Sequence, residues 1–271
     1  MNFTEKDERI LLLVERFNFA ISAVFSPKSN DILDLIFKGN EEVYEEYKKL
    51  EGTLKELENL KRIVKLPKPF VVEFIGAPFS GKTTVINSIY DLLEDSEFSV
   101  EKYSNDLSNT NICDLDIQLK DAIEKNNDII LIGNSVNSMM VYEKVKCGND
   151  SVGNERLKKV SKCYKKIIED KSINILFYLF TNVKTALARK YEAKPSLRNK
   201  DTNAFLEIQK FNSILSEHIY NEKVAIVYKH KSTDKETPNK TCIEIIKTIM
   251  CTLRQEYLKE LNEEILKVMS M

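Results

Sequence analysis

The fold expected of this 271-residue chain is an α/β domain with a doubly wound parallel sheet, and three observations predict it. Short runs rich in Val, Ile, Leu and Phe alternate with longer stretches of helical periodicity, the rhythm of parallel strands joined by crossover helices. The runs are nearly continuous in apolar residues, as strands covered on both faces must be. Between the first run and the helical pattern after it lies Gly76-Ala77-Pro78-Phe79-Ser80-Gly81-Lys82-Thr83, a glycine loop of the form G-x-x-x-x-G-K-[ST].

Taken in order, the chain before Pro67 reads as helix. Apolar residues recur at helical spacing from Ile10 to Phe25, Ser26-Pro27-Lys28-Ser29-Asn30 breaks the pattern, and a short apolar stretch covers Ile32 to Phe37. From Glu41 to Val64, Val43, Tyr47, Leu50, Leu54, Leu57 and Val64 follow spacings of three and four, which predicts one long amphipathic helix. Leu66-Pro67-Lys68-Pro69 stops it, because proline lacks the donor that a helix interior needs. Residues 1–66 are therefore expected to be a helical extension.

The predicted strands are Phe70 to Ile75, Phe98 to Tyr103, Asp128 to Ile132, Ile173 to Phe180 and Val224 to Tyr228. Glu73 is the exception among their apolar residues, and must be partnered, placed at a fringe, or neutral. A final helix is predicted from near Thr241 through Ile245, Ile249, Leu253, Tyr257, Leu261 and Leu266. Residues 67–253 are expected to form the nucleotide-binding domain, and 254–271 a helical extension beyond it. The apolar stripes of Glu41 to Val64 and of the helix beyond Arg254 are expected to pack on each other or to join two subunits in a homo-oligomer.

Composition removes several classes of function. With 41 Lys+Arg against 42 Asp+Glu the formal net charge is -1, so the basic surplus of a protein that coats nucleic acid or anionic lipid is missing. No apolar run reaches the roughly 18 residues of a membrane span, since Ile10 to Phe25 is interrupted by Glu15, Arg16 and Asn18. The N-terminus mixes Glu5, Asp7 and Glu8 with Lys6 and Arg9, unlike a secretory signal, and a cytoplasmic protein is expected. The five cysteines form no CxxC pair and the histidines are His218 and His230, which supports neither a zinc site nor a disulfide framework. The thiols are read as buried or indifferent, and the imidazoles as surface groups.

The loop carries the chemistry. Its glycines let backbone N–H groups and a helix N-terminus face an anion, Lys82 reaches the β/γ region of a nucleoside triphosphate, and Thr83 supplies a hydroxyl for Mg²⁺. Gly76, Ala77, Pro78, Phe79, Ser80, Gly81, Lys82, Thr83 and Thr84 are accordingly the candidate nucleotide-binding residues, with ATP and Mg²⁺ as expected cofactors.

On these residues the chain resembles P-loop nucleoside and nucleotide kinases, especially thymidylate-kinase-like proteins, over roughly Lys68 to Cys251. Three further stretches carry the likeness. Ile130 to Gly133 followed by Asn134-Ser135-Val136-Asn137-Ser138 is similar to the family's third strand and its Asp-Arg motif, but Gly133 occupies the acidic position and Asn134 the basic one. Ile175 to Phe180 followed by Thr185-Ala186-Leu187-Ala188-Arg189-Lys190 looks like the fourth strand and the helix leading into the kinase lid, with Lys194, Arg198 and Lys200 beyond. Val224 to Tyr228 and the loop through Pro238 look like the last strand and base-contacting loop, in which Lys231 and Lys235 are more readily surface residues than base contacts.

The resemblance implies a strand order 2-3-1-4-5 and phosphoryl transfer from ATP-Mg²⁺ to a small acceptor such as a nucleoside or nucleotide. It gives Arg189 and Arg198 the charge-stabilising role of lid cations. It also points to Asp106, at the end of the second strand, as the acid facing the acceptor, with Asp114 and Asp116 in reserve. Two other functions stay open: a nucleotide-hydrolysing switch, and a catalytically impaired nucleotide-binding regulator, which the departures at Gly133 and Asn134 favour. Thr181 and Asn182 lie just after the fourth strand and receive no role.

Overall fold

A computed structural model describes residues 41–94, 96–104, 112–134, 136–146, 151–169, 173–193, 203–221, 226–232 and 238–270. The helical patterns expected over Ile10 to Phe37 lie outside these residues. In chain order the elements are α1 (Glu41–Ile63), β1 (Phe70–Ile75), α2 (Lys82–Glu94), β2 (Val100–Ser104), α3 (Ile112–Glu124), β3 (Ile129–Gly133) and α4 (Val136–Lys146), followed by α5 (Ser151–Glu169), β4 (Ile175–Thr181), α6 (Val183–Ala193), α7 (Ala204–Asn221), β5 (Ile226–Ser232) and α8 (Pro238–Ser270). The chain divides into two compact units: Pro69–Glu94 with Ser99–Thr241, and the segment ending at Lys68 with Asp95–Phe98 and Cys242–Met271.

The first of these is the expected α/β unit, and its sheet is parallel throughout. Strand β1 lies between β3 and β4, pairing Phe74 with Gly133 on one side and with Phe177 on the other. Beyond β3 lies β2, and beyond β4 lies β5. Every residue of β1 is buried, as a central strand covered on both faces requires.

Alternation along β1 sorts its side chains. On one face Phe74 stacks on Phe177 with ring centroids 5.4 Å apart. On the other, Val71 joins a cluster with Ile130, Ile132, Met139, Met140, Val160 and Tyr164, whereas Ile75 joins a second with Val141, Leu176, Tyr178, Ala186, Phe211 and Leu215. Glu73 lies on the same face between them, fully buried. Of the three options open to it the chain uses a partner: Asn137 of α4 donates Nδ2 to Glu73 Oε2.

The partner of Asn137 corrects one expectation. His218 is no surface imidazole: it is 2% exposed, with Nε2 3.3 Å from Asn137 Oδ1 and its ring 5.2 Å from that of Tyr164. Because Asn137 uses its nitrogen on Glu73, its oxygen is the acceptor, and His218 must carry its proton on Nε2. Burial, with a smaller push from the Lys144 charge, lowers the imidazole pKa to about 4, so the ring is neutral near pH 7. A second buried carboxylate, Glu143 of α4, is held by Arg156 of α5 at 3.0 Å.

In the other unit α1 and α8 bury their apolar stripes. Leu50, Leu57, Leu60 and Val64 are buried, as are Ile249, Leu253, Tyr257 and Leu261, and Glu56 pairs with Arg254 at 2.6 Å. Arg62 Nε donates to Glu97 Oε2 at 2.9 Å, and Phe98 lies against Tyr257 with centroids 6.5 Å apart. Cys242 is buried and Cys251 exposed. Among the described residues no helix is long and apolar enough to cross a membrane.

Candidate functional site

The loop 76–81 leaves the carboxyl end of β1 and turns at once into α2. A turn bond from Ser80 N to Ala77 O (3.1 Å) closes it, and Val85 N donating to Gly81 O (3.0 Å) starts the helix. Gly76 has no room for a side chain, since a Cβ there would stand 2.6 Å from both Leu179 O and Ser80 Oγ. Phe79 and Gly81 adopt positive φ, 62° and 93°, on either side of a residue that does not. Such alternation gathers successive N–H groups around an anion. A bulky residue in the left-handed region is strained, and Phe79 is held there by packing against the Ile75–Leu176–Tyr178 cluster.

Lys82 opens α2 and folds back over the loop. Its Nζ donates to Gly76 O at 2.8 Å and Ala77 O at 3.0 Å, with Ser80 Oγ at 3.5 Å. These acceptors are neutral, so nothing offsets the desolvation of the ammonium, and burial lowers its pKa to about 8. Thr83 and Thr84 in the next positions of α2 are exposed.

Arg189, on α6, reaches the same loop, with Nη1 3.5 Å from Ser80 O and 3.7 Å from where a Cβ on Gly81 would stand. The structure thus brings together Gly76 to Thr84 and Arg189. Asp106 and Arg198 lie outside the described residues, as do Lys194, Lys200 and Lys235. The side chains of Asp114, Asp116 and Lys231 are likewise outside the description.

Two residues without an expected role also meet the loop's neighbourhood. Thr181, the last residue of β4, donates Oγ1 to Ser80 O at 3.4 Å, and Asn212 of α7 donates Nδ2 to Thr181 O at 3.1 Å. The signal for Thr181 is its place at the end of an apolar run, whereas Asn212 sits in a helical pattern and nothing local marks it. Asn182 has a structural duty, capping α6 by accepting from Thr185 N at 2.8 Å.

A Cβ on Gly133 would lie 2.8 Å from Ile86 Cδ1 of α2 and 3.7 Å from Ser104 Oγ, so a side chain there needs the isoleucine's terminal methyl to move aside. Asn134 follows with φ of 62° and its N 3.5 Å from Phe74 O. Among the described residues no group of three or more His, Cys, Asp or Glu side chains is placed to hold a metal ion. Thr83 and Thr84 present exposed hydroxyls beside Lys82, hard oxygens of the kind Mg²⁺ takes together with waters and phosphate oxygens.

No protein-family model matches the chain, and no curated protein matches it in sequence at a significant level. Solved structures do resemble it. A deoxyadenosine kinase from M. mycoides with bound dATP aligns at 17% identity and a TM-score of 0.45, over 66% of this chain and 98% of that one. A candidate polyphosphate kinase 2 from Pseudomonas aeruginosa PA01 aligns at 11% identity and a TM-score of 0.54, over 87% of this chain and 47% of that one. At 11% identity the likeness to the second structure concerns the fold alone, an α/β fold with a parallel sheet.

Proposed function

We propose that the α/β unit binds a nucleoside triphosphate, ATP, with Mg²⁺, and transfers its terminal phosphoryl group to a small acceptor such as a nucleoside or nucleotide. The observation that carries this reading is the loop itself. Lys82 Nζ spans its mouth on Gly76 O and Ala77 O, the backbone alternates in φ at Phe79 and Gly81, and a helix N-terminus stands behind it.

In this mechanism the loop amides and the start of α2 take the phosphate oxygens. Lys82 exchanges two neutral carbonyls for β/γ oxygens, which restores the charged form that burial disfavours. Arg189, already at Ser80 O, stabilises charge on the transferring group, and Arg198 is assigned to the same task. Thr83 would hold Mg²⁺, which supplies charge neutralisation between the phosphates. Asp106 is the proposed base for the acceptor hydroxyl.

A second reading is a nucleotide-binding regulator with impaired catalysis, favoured by the glycine at position 133, where a Cβ would meet Ile86 Cδ1 at 2.8 Å. Calorimetry of Mg-ATP with wild type and Lys82→Ala, followed by an acceptor screen, tests both. Lys82→Ala should fold and bind Mg-ATP at least tenfold more weakly, because the loop's point charge is gone. Equal affinity in the two proteins would refute the site. Binding without transfer to any nucleoside or nucleotide would select the regulator.

A further inference from the structure

Resting on the phosphate-loop reading, we infer that Asn212 and Thr181 are positioning residues that hold the loop in its anion-binding shape from α7. Ser80 is where the supports converge. Its carbonyl faces Thr181 Oγ1 at 3.4 Å and Arg189 Nη1 at 3.5 Å, while its hydroxyl faces the Lys82 ammonium. The Ser80 peptide leads directly into Gly81, whose φ of 93° sets the last turn before the helix. A rotation of that peptide plane would therefore redirect both the loop amides and Lys82.

Thr181 can hold the plane only if its own backbone is fixed. It ends β4 and is fully buried, and its carbonyl is taken by Asn212 Nδ2 at 3.1 Å. A carbonyl accepts and does not donate, so the amide nitrogen must face it and the direction of the Asn212 side chain is determined. The consequence is unfavourable for stability: Asn212 is 8% exposed, and its Oδ1 has no hydrogen-bond partner among the described residues. A leucine of similar shape would fill the position without an unmatched acceptor. The hydrogen bond that the amide donates lies a single residue-to-residue step from the loop, on a helix whose Ile208, Phe211 and Leu215 join the core. The asparagine serves the loop's geometry at the expense of the core.

The test uses the full chain and Mg-ATP as the probe, with affinity by calorimetry and melting temperature measured on every variant. Thr181→Val and Asn212→Leu should each weaken Mg-ATP binding about five- to tenfold, the worth of one neutral hydrogen bond. Thr181→Ser should keep wild-type affinity because it keeps the donor. Asn212→Leu should melt no lower than wild type while binding more weakly, a split that a merely structural role would not give. Acting in series, the two changes combined should cost no more affinity than either alone. Asn212→Met, apolar, unbranched and unable to donate, gives the same loss by a second route should the leucine variant fail to fold. Wild-type binding within twofold in Thr181→Val and in the folded Asn212 variants would overturn this inference alone. A wild-type protein that does not bind Mg-ATP would overturn the phosphate-loop reading and this inference with it.

Discussion

Lowering the pH from 7 to 5 should destabilise the protein through His218, by an amount its surroundings fix. In the unfolded chain the imidazole has a pKa near 6.5, whereas in the fold burial holds it at about 4. Between those values the unfolded chain binds more protons, so stability is complete above about pH 6.5 and falls as the pH drops toward 4. Integrating between pH 7 and 5 gives a loss of about 2 kcal/mol, and about 3 kcal/mol once both states are protonated. The geometry explains why the folded ring resists its second proton: Nε2–H is committed to Asn137, and Nδ1 is buried with no acceptor among the described residues. A chain of this size should lose about 4–8 °C in melting temperature from that term. Other groups also titrate, so the assay compares wild type with His218→Gln, which keeps a donor and does not titrate, by urea unfolding at pH 7 and 5. Wild type should lose about 2 kcal/mol more than the variant between the two. The NMR signal of the ring, assignable because His230 is the only other histidine, should stay flat from pH 8 to 5. Equal pH dependence in the two proteins, or a His218 signal titrating near 6.5, would refute the reasoning.

Other expectations concern the loop and its surroundings. With the Lys82 pKa at about 8, Mg-ATP binding at pH 8 should take up about half a proton as the phosphates restore the ammonium; calorimetry in buffers of different ionisation enthalpy reads this, and zero uptake would count against contact with the phosphates. Arg189→Ala and Arg198→Ala should slow any phosphoryl transfer by roughly a hundredfold with a smaller loss of Mg-ATP affinity. Gly133→Asp should raise transfer, and more so when Ile86→Val removes the methyl that its Cβ meets, the second change costing about 1 kcal/mol of stability, measured by turnover and melting together. Removing residues 1–66 takes away Leu50, Leu57, Leu60 and Val64, buried in the unit that contains α8, and light scattering should detect aggregation or a changed oligomeric state.

What the sequence disclosed follows from the range of the forces involved. The glycine loop was legible because its chemistry is local: six residues between a strand and a helix must turn tightly and expose N–H groups, and that constrains residue types at fixed positions. The parallel α/β sheet was legible because strands buried on both faces cannot hide their continuous apolar runs. Strand ends were set less sharply. The run at Phe98 begins two residues before β2 at Val100, since Phe98 is apolar for a different reason, its contact with Tyr257. His218 and Asn212 were opaque because what gives each its meaning is a partner far away in sequence, Asn137 and Thr181 respectively. In the helical pattern both are simply polar interruptions, and only packing separates a buried polar residue from a solvated one.

The departure at Gly133 gains a different meaning from the packing around it. As sequence, a glycine in an acidic position reads as a deletion of function, and a deletion alone would leave a gap facing the loop that a carboxylate could refill. The chain has no such gap, because Ile86 Cδ1 is 2.8 Å from where a Cβ would be, and Ile86 is itself buried. A Cβ at 133 would require the terminal methyl of Ile86 on α2 to move aside, whereas its other neighbours, Ser104 Oγ and Tyr103 O at 3.7 Å, stand at ordinary contact distance. Substituting the acid alone would displace the end of the Ile86 side chain, a local adjustment in the packing of α2 on β3. Positions 133 and 86 are coupled through one methyl contact, and comparing Gly133→Asp with and without Ile86→Val reads that coupling as a difference in melting temperature.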